Sequence, residues 1–235
     1  MATSEVLAVP AGAGVPHGRD AEGGRGDDHA DPLALGFVPD PHRRYTAAEV
    51  RVLNTANPRH WPRFECARGR LLVTPAPAPL HQVVAGRLFA ALDRYCDVHF
   101  AAGAPMFSPA DISWGRRDTL LQPDVYVVDR RVMRESVAVG RERGSIAGWR
   151  VIRHLLLAIE VLSPSTAAAD RGVKRETYQA RGVPLYWVLD PEARQVEVWT
   201  PDATEPRVER ERIVWHPDGV DAPFELPLAE LFRPV

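Results

Sequence analysis

Residues 154–190 read "HLLLAIEVLSPSTAAADRGVKRETYQARGVPLYWVLD", and the order of elements in them sets the architecture of the chain. The opening "HLLLAIEVLS" is a short apolar run that ends in polar residues, the pattern of a central strand buried on both faces. Ser165 or Thr166 then caps a helix, which Gly182 and Pro184 stop. "LYWVLDPEARQVEVW" follows as a β-hairpin, two β-rich runs about an Asp-Pro-Glu-Ala turn.

Similar signals flank this stretch. Thr46 with Glu49 three residues later has capping-box spacing and starts a helix in "RRYTAAEVRVLN". A strand is expected around Arg70 to Thr74, stopped by the prolines of "TPAPAP". Leu80, Val83, Val84, Leu88, Ala91, Leu92 and Tyr95 form a helical apolar stripe. "VHFAAGAPMFSPADISW" reads as two short strands, and "QPDVYVVD" as a second central one. "RVERERIVWH" supplies a further edge strand before a short C-terminal helix. Helix, strands, helix, strands is the order of one mixed α/β layer domain. We place it over residues 41–235.

Residues 1–40 differ in kind: Gly, Ala, Pro and Asp dominate, with seven acids against Arg19 and Arg25. Such a segment buries too little apolar surface to offset its ordering entropy, so disorder is expected there. The whole chain carries a net charge of −2, which leaves the part after this tail mildly positive. That permits polyanion binding without demanding it.

A hydrophobic content of 45% suits a soluble globular protein. No run reaches the roughly 18 apolar residues of a membrane span. No basic region precedes an apolar one at the N-terminus, so the expected location is cytoplasmic. Cys66 and Cys96 match no metal or redox spacing and are expected to be reduced, buried and inert.

Chemistry concentrates in three residues. Asp124 opens the strand "PDVYVV", and Glu160 lies inside an apolar run where a charge is costly unless paired or bound to a cation. Glu160 could pair with one of the many arginines. Alternatively, the two carboxylates on successive strands could offer oxygen ligands to Mg²⁺ or Mn²⁺. Fourteen residues on stands Lys174, the only lysine of the chain. Coding bias toward arginine leaves a survivor somewhere, but a compact, pKa-tunable ammonium is also what a planar guanidinium cannot imitate.

Together, "QPDV", "EVLSPST" and "DRGVKRETYQARGVPLYWVLDPEARQVEVW" resemble the Uma-two family of restriction-endonuclease-like proteins, in the PD-(D/E)XK nuclease superfamily. "FECARGRLLVTPAPAPLHQVV" is similar to the same family's glutamate-glycine segment. The likeness covers residues 44–233. It implies an α/β fold with a restriction-endonuclease-like core: a central mixed sheet flanked by helices, with a hairpin and edge strands near the C-terminus. It also implies a metal-dependent phosphodiesterase. Asp124, Glu160 and the carbonyl of Val161 would hold Mg²⁺ or Mn²⁺, and no organic cofactor is expected. Lys174 would orient or deprotonate the attacking water and offset transition-state charge. Glu65, placed by the superfamily pattern on the first helix, would hold metal-associated water or a second ion. One departure is visible: the superfamily's usual lysine position, two residues after the glutamate, is Leu162 here, so the amine must come from the next helix.

Supporting residues keep two readings each. His81 either approaches the site or caps its helix facing solvent. Tyr178, one helical turn after Lys174, either supports the lysine and phosphate or is a half-buried helix tyrosine. The segment from Asp129 to Arg153, with seven arginines, is either a phosphate-contacting flap or a solvated loop. The expected partner is DNA, with RNA or a non-catalytic binding role as alternatives. The C-terminal hairpin and edge strand offer a surface for a homodimer.

Overall fold

The apolar runs become the middle of a six-stranded mixed sheet in this computed structural model, which describes residues 40, 42–57 and 61–235. The tail expected over residues 1–40 lies, apart from Asp40, outside the described residues. Helix α1 (Ala47–Ala56) begins as its spacing predicts. Glu49 N donates to Thr46 Oγ1, and Thr46 N donates to Glu49 Oε2 at 2.8 Å. Strands β1 (Arg63–Ala67) and β2 (Arg70–Thr74) form an antiparallel hairpin. Arg68 and Gly69 close it with φ of 52° and 81°, the left-handed pair that a two-residue hairpin turn requires. Pro79 sits in the first turn of α2 (Pro79–Val98), where its missing N–H costs nothing.

The large sheet runs β3 (Gly103–Phe107), β4 (Val125–Asp129), β5 (Leu157–Val161), β6 (Tyr186–Asp190), β7 (Gln195–Trp199) and β8 (Arg207–Glu209). Only β5 and β6 pair in parallel, joined by the helical segment that the sequence places between them. Its pieces are α5 (Ala167–Ala169), a π-helical turn (Asp170–Lys174) and α6 (Arg175–Ala180). β6 and β7 form the expected hairpin.

Each sheet face has its own core. Val125, Val127, Leu157, Ile159 and Trp187 pack against Val84, Leu88 and Leu92 of α2. The alternate residues Tyr126, Val128, Ala158 and Val188 pack with Tyr178, Tyr186 and Ile152 on the other side. Cys66 and Cys96 are buried free thiols, and burial pushes both up to about 12, which matches the inert reading.

Three expectations need correction. "RVERERIVWH" is two strands, not one: β8 borders the main sheet, while β9 (Arg212–Trp215) pairs with β10 (Phe224–Pro227) in a separate ribbon. Helix α7 (Leu228–Leu231) follows. The second strand expected in "VHFAAGAPMFSPADISW" is reduced to an isolated bridge between Ile112 and Leu121. Most of the arginine-rich segment is helical rather than loop, as α3 (Arg130–Arg143) and α4 (Ser145–Trp149), with Arg150 and Arg153 just beyond them. Gly148 serves close packing between the two helices: a Cβ there would lie 2.6 Å from Ser136 O.

Candidate active site

Strands β4 and β5 are antiparallel with Val125 opposite Ile159, so one further step of that register sets Asp124 opposite Glu160. Val161 N donates to Asp124 Oδ2 at 2.8 Å and ties the two strand ends together. Glu160 points to the same sheet face as Ala158 and is buried. Tyr178 OH donates to its Oε1 at 2.9 Å, so the tyrosine is a fully buried support of the carboxylate. His81, in the first turn of α2, places Nε2 3.0 Å from Asp124 Oδ2. It therefore faces the site, not solvent.

Glu65 stands on strand β1, not on the first helix. The hairpin carrying it is pinned to the core by the Cys66–Leu120 bridge. Gln122 N donates to Glu65 Oε1 at 2.6 Å, and Thr74 Oγ1 to Oε2 at 3.1 Å. Lys174 comes from the helix after β5, as the missing strand lysine demanded. The helix is broken at Gly172 (φ −105°, ψ −106°), and the wide turn around it buries Asp170 and Lys174 together. Lys174 Nζ lies 3.0 Å from Glu65 Oε2, 3.2 Å from Glu160 Oε1 and 3.2 Å from Asp170 Oδ1. The contact with Asp170 is an ion pair without hydrogen-bond alignment, since Asp170 Oδ1 has no hydrogen-bond partner among the described residues.

Four carboxylates thus surround one ammonium and one imidazole, and the excess negative charge sets the protonation of the cluster. Burial raises the Glu160 carboxyl well above its ordinary range; Lys174 opposes this, while Asp124, Asp170 and Glu65 add to it. Burial likewise raises Asp170 against the pull of Lys174. Burial alone would lower Lys174, but Glu160, Glu65, Asp170 and Asp124 together hold it well above the usual lysine value. His81 follows the same logic, its net rise coming from Asp124 against the effect of burial.

A cavity of about 290 Å³ opens onto Glu65, His81, Asp124, Glu160, Asp170 and Lys174. Carboxylate oxygens are the donors that Mg²⁺ and Mn²⁺ prefer, and the surplus negative charge favours a cation. Among the described residues no three His, Cys, Asp or Glu side chains form a ready-made cage. The ammonium of Lys174 stands between three of the carboxylates. Asp124, whose side chain is 20% exposed, lies outside that ion-pair set. The donor chemistry fits a hard cation.

All the residues singled out from the sequence meet here: Glu65, His81, Asp124, Glu160, Val161, Lys174 and Tyr178. Asp170 was missed. Its one signal is the four-residue spacing to Lys174, which puts an acid and a lysine on one helical face.

A six-stranded mixed sheet bearing a carboxylate–lysine centre beside its one parallel crossover defines an α/β chain of the restriction-endonuclease-like class. The family described as "Uma2: Putative restriction endonuclease" matches residues 51–231, most of the chain, and the chain belongs to that family. Among solved structures, one described as "a putative nuclease belonging to DUF820" from Anabaena variabilis ATCC 29413 is similar. It has a TM-score of 0.58 and 18% identity, over 80% of this chain and 97% of that one. At that identity the likeness shows the fold alone. No curated protein matches the chain. No helix among the described residues is long and apolar enough to cross a membrane.

Proposed function

We propose that this chain is an endonuclease that hydrolyses phosphodiester bonds of DNA with Mg²⁺ or Mn²⁺. One observation carries the reading: Glu65, Glu160 and Asp170 converge on Lys174 beside the Asp124–His81 pair, and an open cavity reaches all of them. Buried carboxylates in such excess are expensive unless a cation compensates them. Asp124, Glu160 and the Val161 carbonyl would hold the ion. When bound, a divalent cation supplies Lewis-acid charge beside the scissile phosphate.

The protein's own residues do the rest. Lys174, held protonated by its neighbours, offsets charge on the phosphoryl oxygens rather than taking a proton. Of the two roles expected for it, charge stabilisation is the one its surroundings favour. Tyr178 fixes the orientation of Glu160, and His81 with Val161 N that of Asp124. Glu65, bonded to Gln122 N and Thr74, keeps the ammonium in place.

A second reading, a binding module without turnover, draws on the ion pairs by which Lys174 already compensates three of the carboxylates. Nicking of supercoiled plasmid separates the two. The nuclease reading expects cleavage in Mg²⁺ or Mn²⁺ that chelator stops, with single-stranded DNA and RNA of one sequence ranking the substrates. A folded protein that cuts none of these with either ion, or cuts equally in chelator, would sink it.

A further inference from the structure

The acidic centre raises a problem for its own substrate. A nucleic-acid backbone is repelled by four carboxylates, and among the described residues the cavity above them is lined by two permanent cations, Arg63 and Lys174, with His81 already paired to Asp124. A strand must therefore be held by positive charge elsewhere. A second cavity, of about 330 Å³, meets that need: Arg51, Arg116, Arg117, Arg150 and Arg153 all line it.

These arginines come from three parts of the chain: α1, the loop before Leu120, and the end of α4 with the residues after it. Arg116, Arg117, Arg150 and Arg153 are exposed. Two carboxylates answer five guanidiniums. Asp111 pairs with Arg51 at 3.0 Å, and Asp118 reaches Arg116 only at 3.8 Å. Arg117, Arg150 and Arg153 have no ion-pair partner among the described residues. Arg51 Nη2 is buried without a hydrogen-bond partner among them. The N-terminal end of α1, through Thr46, Ala47 and Ala48, lines the same cavity and adds its positive dipole. Gly115 makes room for the cluster, since a Cβ there would lie 2.0 Å from Arg153 Nη1.

The pocket is also joined to the acidic centre. Asp111 accepts from Arg51 Nε through Oδ2 and from Gln122 Nε2 through Oδ1, both at 3.0 Å, and Gln122 N donates to Glu65. Two intervening residues, Asp111 and Gln122, thus connect Arg51 to a residue that touches Lys174.

We infer that the five-arginine pocket binds backbone phosphate of a nucleic-acid strand, away from the phosphate presented to the acidic centre. Guanidinium forks match phosphate geometry, and such contacts fix the register of a strand without reading its sequence. The inference rests on the reading of the acidic centre as a phosphodiester site, but its test needs no turnover.

The test uses the full chain in chelator, with fluorescence anisotropy of a labelled DNA duplex at salt from roughly 50 to 200 mM. The triple variant Arg116→Ala, Arg117→Ala, Arg150→Ala removes exposed side chains and is checked for fold by circular dichroism. Each lost phosphate contact lowers the slope of log K against log salt by about 0.9, so a reduction of about 2 to 3 is expected. Lysine at the same three positions should restore most of the slope, which a purely structural role would not do. An alanine variant with unchanged affinity and slope overturns the inference, whatever the cleavage result. So does a parent protein that binds tripolyphosphate but no oligonucleotide. A parent that binds in this way yet never cuts would uphold the pocket and overturn the nuclease reading.

Discussion

Replacing Lys174 with methionine tests the electrostatic heart of the fold. The side chain is 4% exposed and lies 3.0 to 3.2 Å from three carboxylates that are themselves buried. Methionine keeps the length and volume, so the change removes charge rather than packing. Breaking a buried ion pair by deleting one partner costs about 3 to 5 kcal/mol, because the other charge is left uncompensated. That is a large share of a typical total stability of about 5 to 15 kcal/mol. The cost depends on pH, and its sign follows from the neighbours. Glu160 and Asp170 are raised above their unfolded values even with the lysine present. Their contribution to stability is therefore full at acid pH and is lost as pH rises through the folded values. Without Lys174 those folded values rise further. Each proton then taken up on folding lowers stability by about 1.4 kcal/mol per pH unit. Urea denaturation at about pH 5.5 and about pH 8 should show a small loss at the first and the full loss at the second. A loss below about 1 kcal/mol at the higher pH, or an equal loss at both, would refute the reasoning.

Other perturbations probe separate links. Glu160→Gln keeps an acceptor for Tyr178 and leaves Glu65 and Asp170 to pair Lys174; it should flatten the fall in Tm between about pH 5 and 8, and parallel Tm curves would contradict the burial of its charge. Thr46→Ala removes the hydroxyl that accepts from Glu49 N and should cost about 1 kcal/mol in chemical denaturation; no measurable loss would mean that α1 is held by packing alone. Leu88→Ala opens a hole between α2 and the sheet, where Leu88 is fully buried, and should cost about 2 to 5 kcal/mol by the same measurement.

Periodicity carried α2, the central strands and the β6–β7 hairpin into the sequence reading, because each is a local pattern with a distinct stop. The centre was legible for a different reason. Glu160 is a charge within an apolar strand, and Lys174 is a lone amine among arginines, so both violate their local context. Asp170 follows three alanines and violates nothing until the turn at Gly172 buries it. Glu65 was placed on the first helix by the family likeness, whereas its own stretch, Arg63–Ala67, pairs as a strand with Arg70–Thr74. The break between β8 and β9 is hidden because "VERERIV" carries no glycine or proline to mark it. In α3, Val132, Met133 and Ser136 recur at helical spacing, but the arginines and glycines around them mask the signal. Arg171, which reaches Asp190 at 3.1 Å and Glu197 at 2.7 Å, depends on contacts across the β6–β7 hairpin that no local pattern encodes.

The most direct test of the acidic centre as a cation site is titration calorimetry of Mn²⁺ into the protein near pH 7, in two buffers of different ionisation heat. A carboxyl held protonated by burial must release its proton when a divalent cation takes its oxygens. The account predicts saturable binding with net proton release in the parent and none in Asp124→Asn. Absence of binding heat in both buffers, or equal binding by Asp124→Asn, would contradict it.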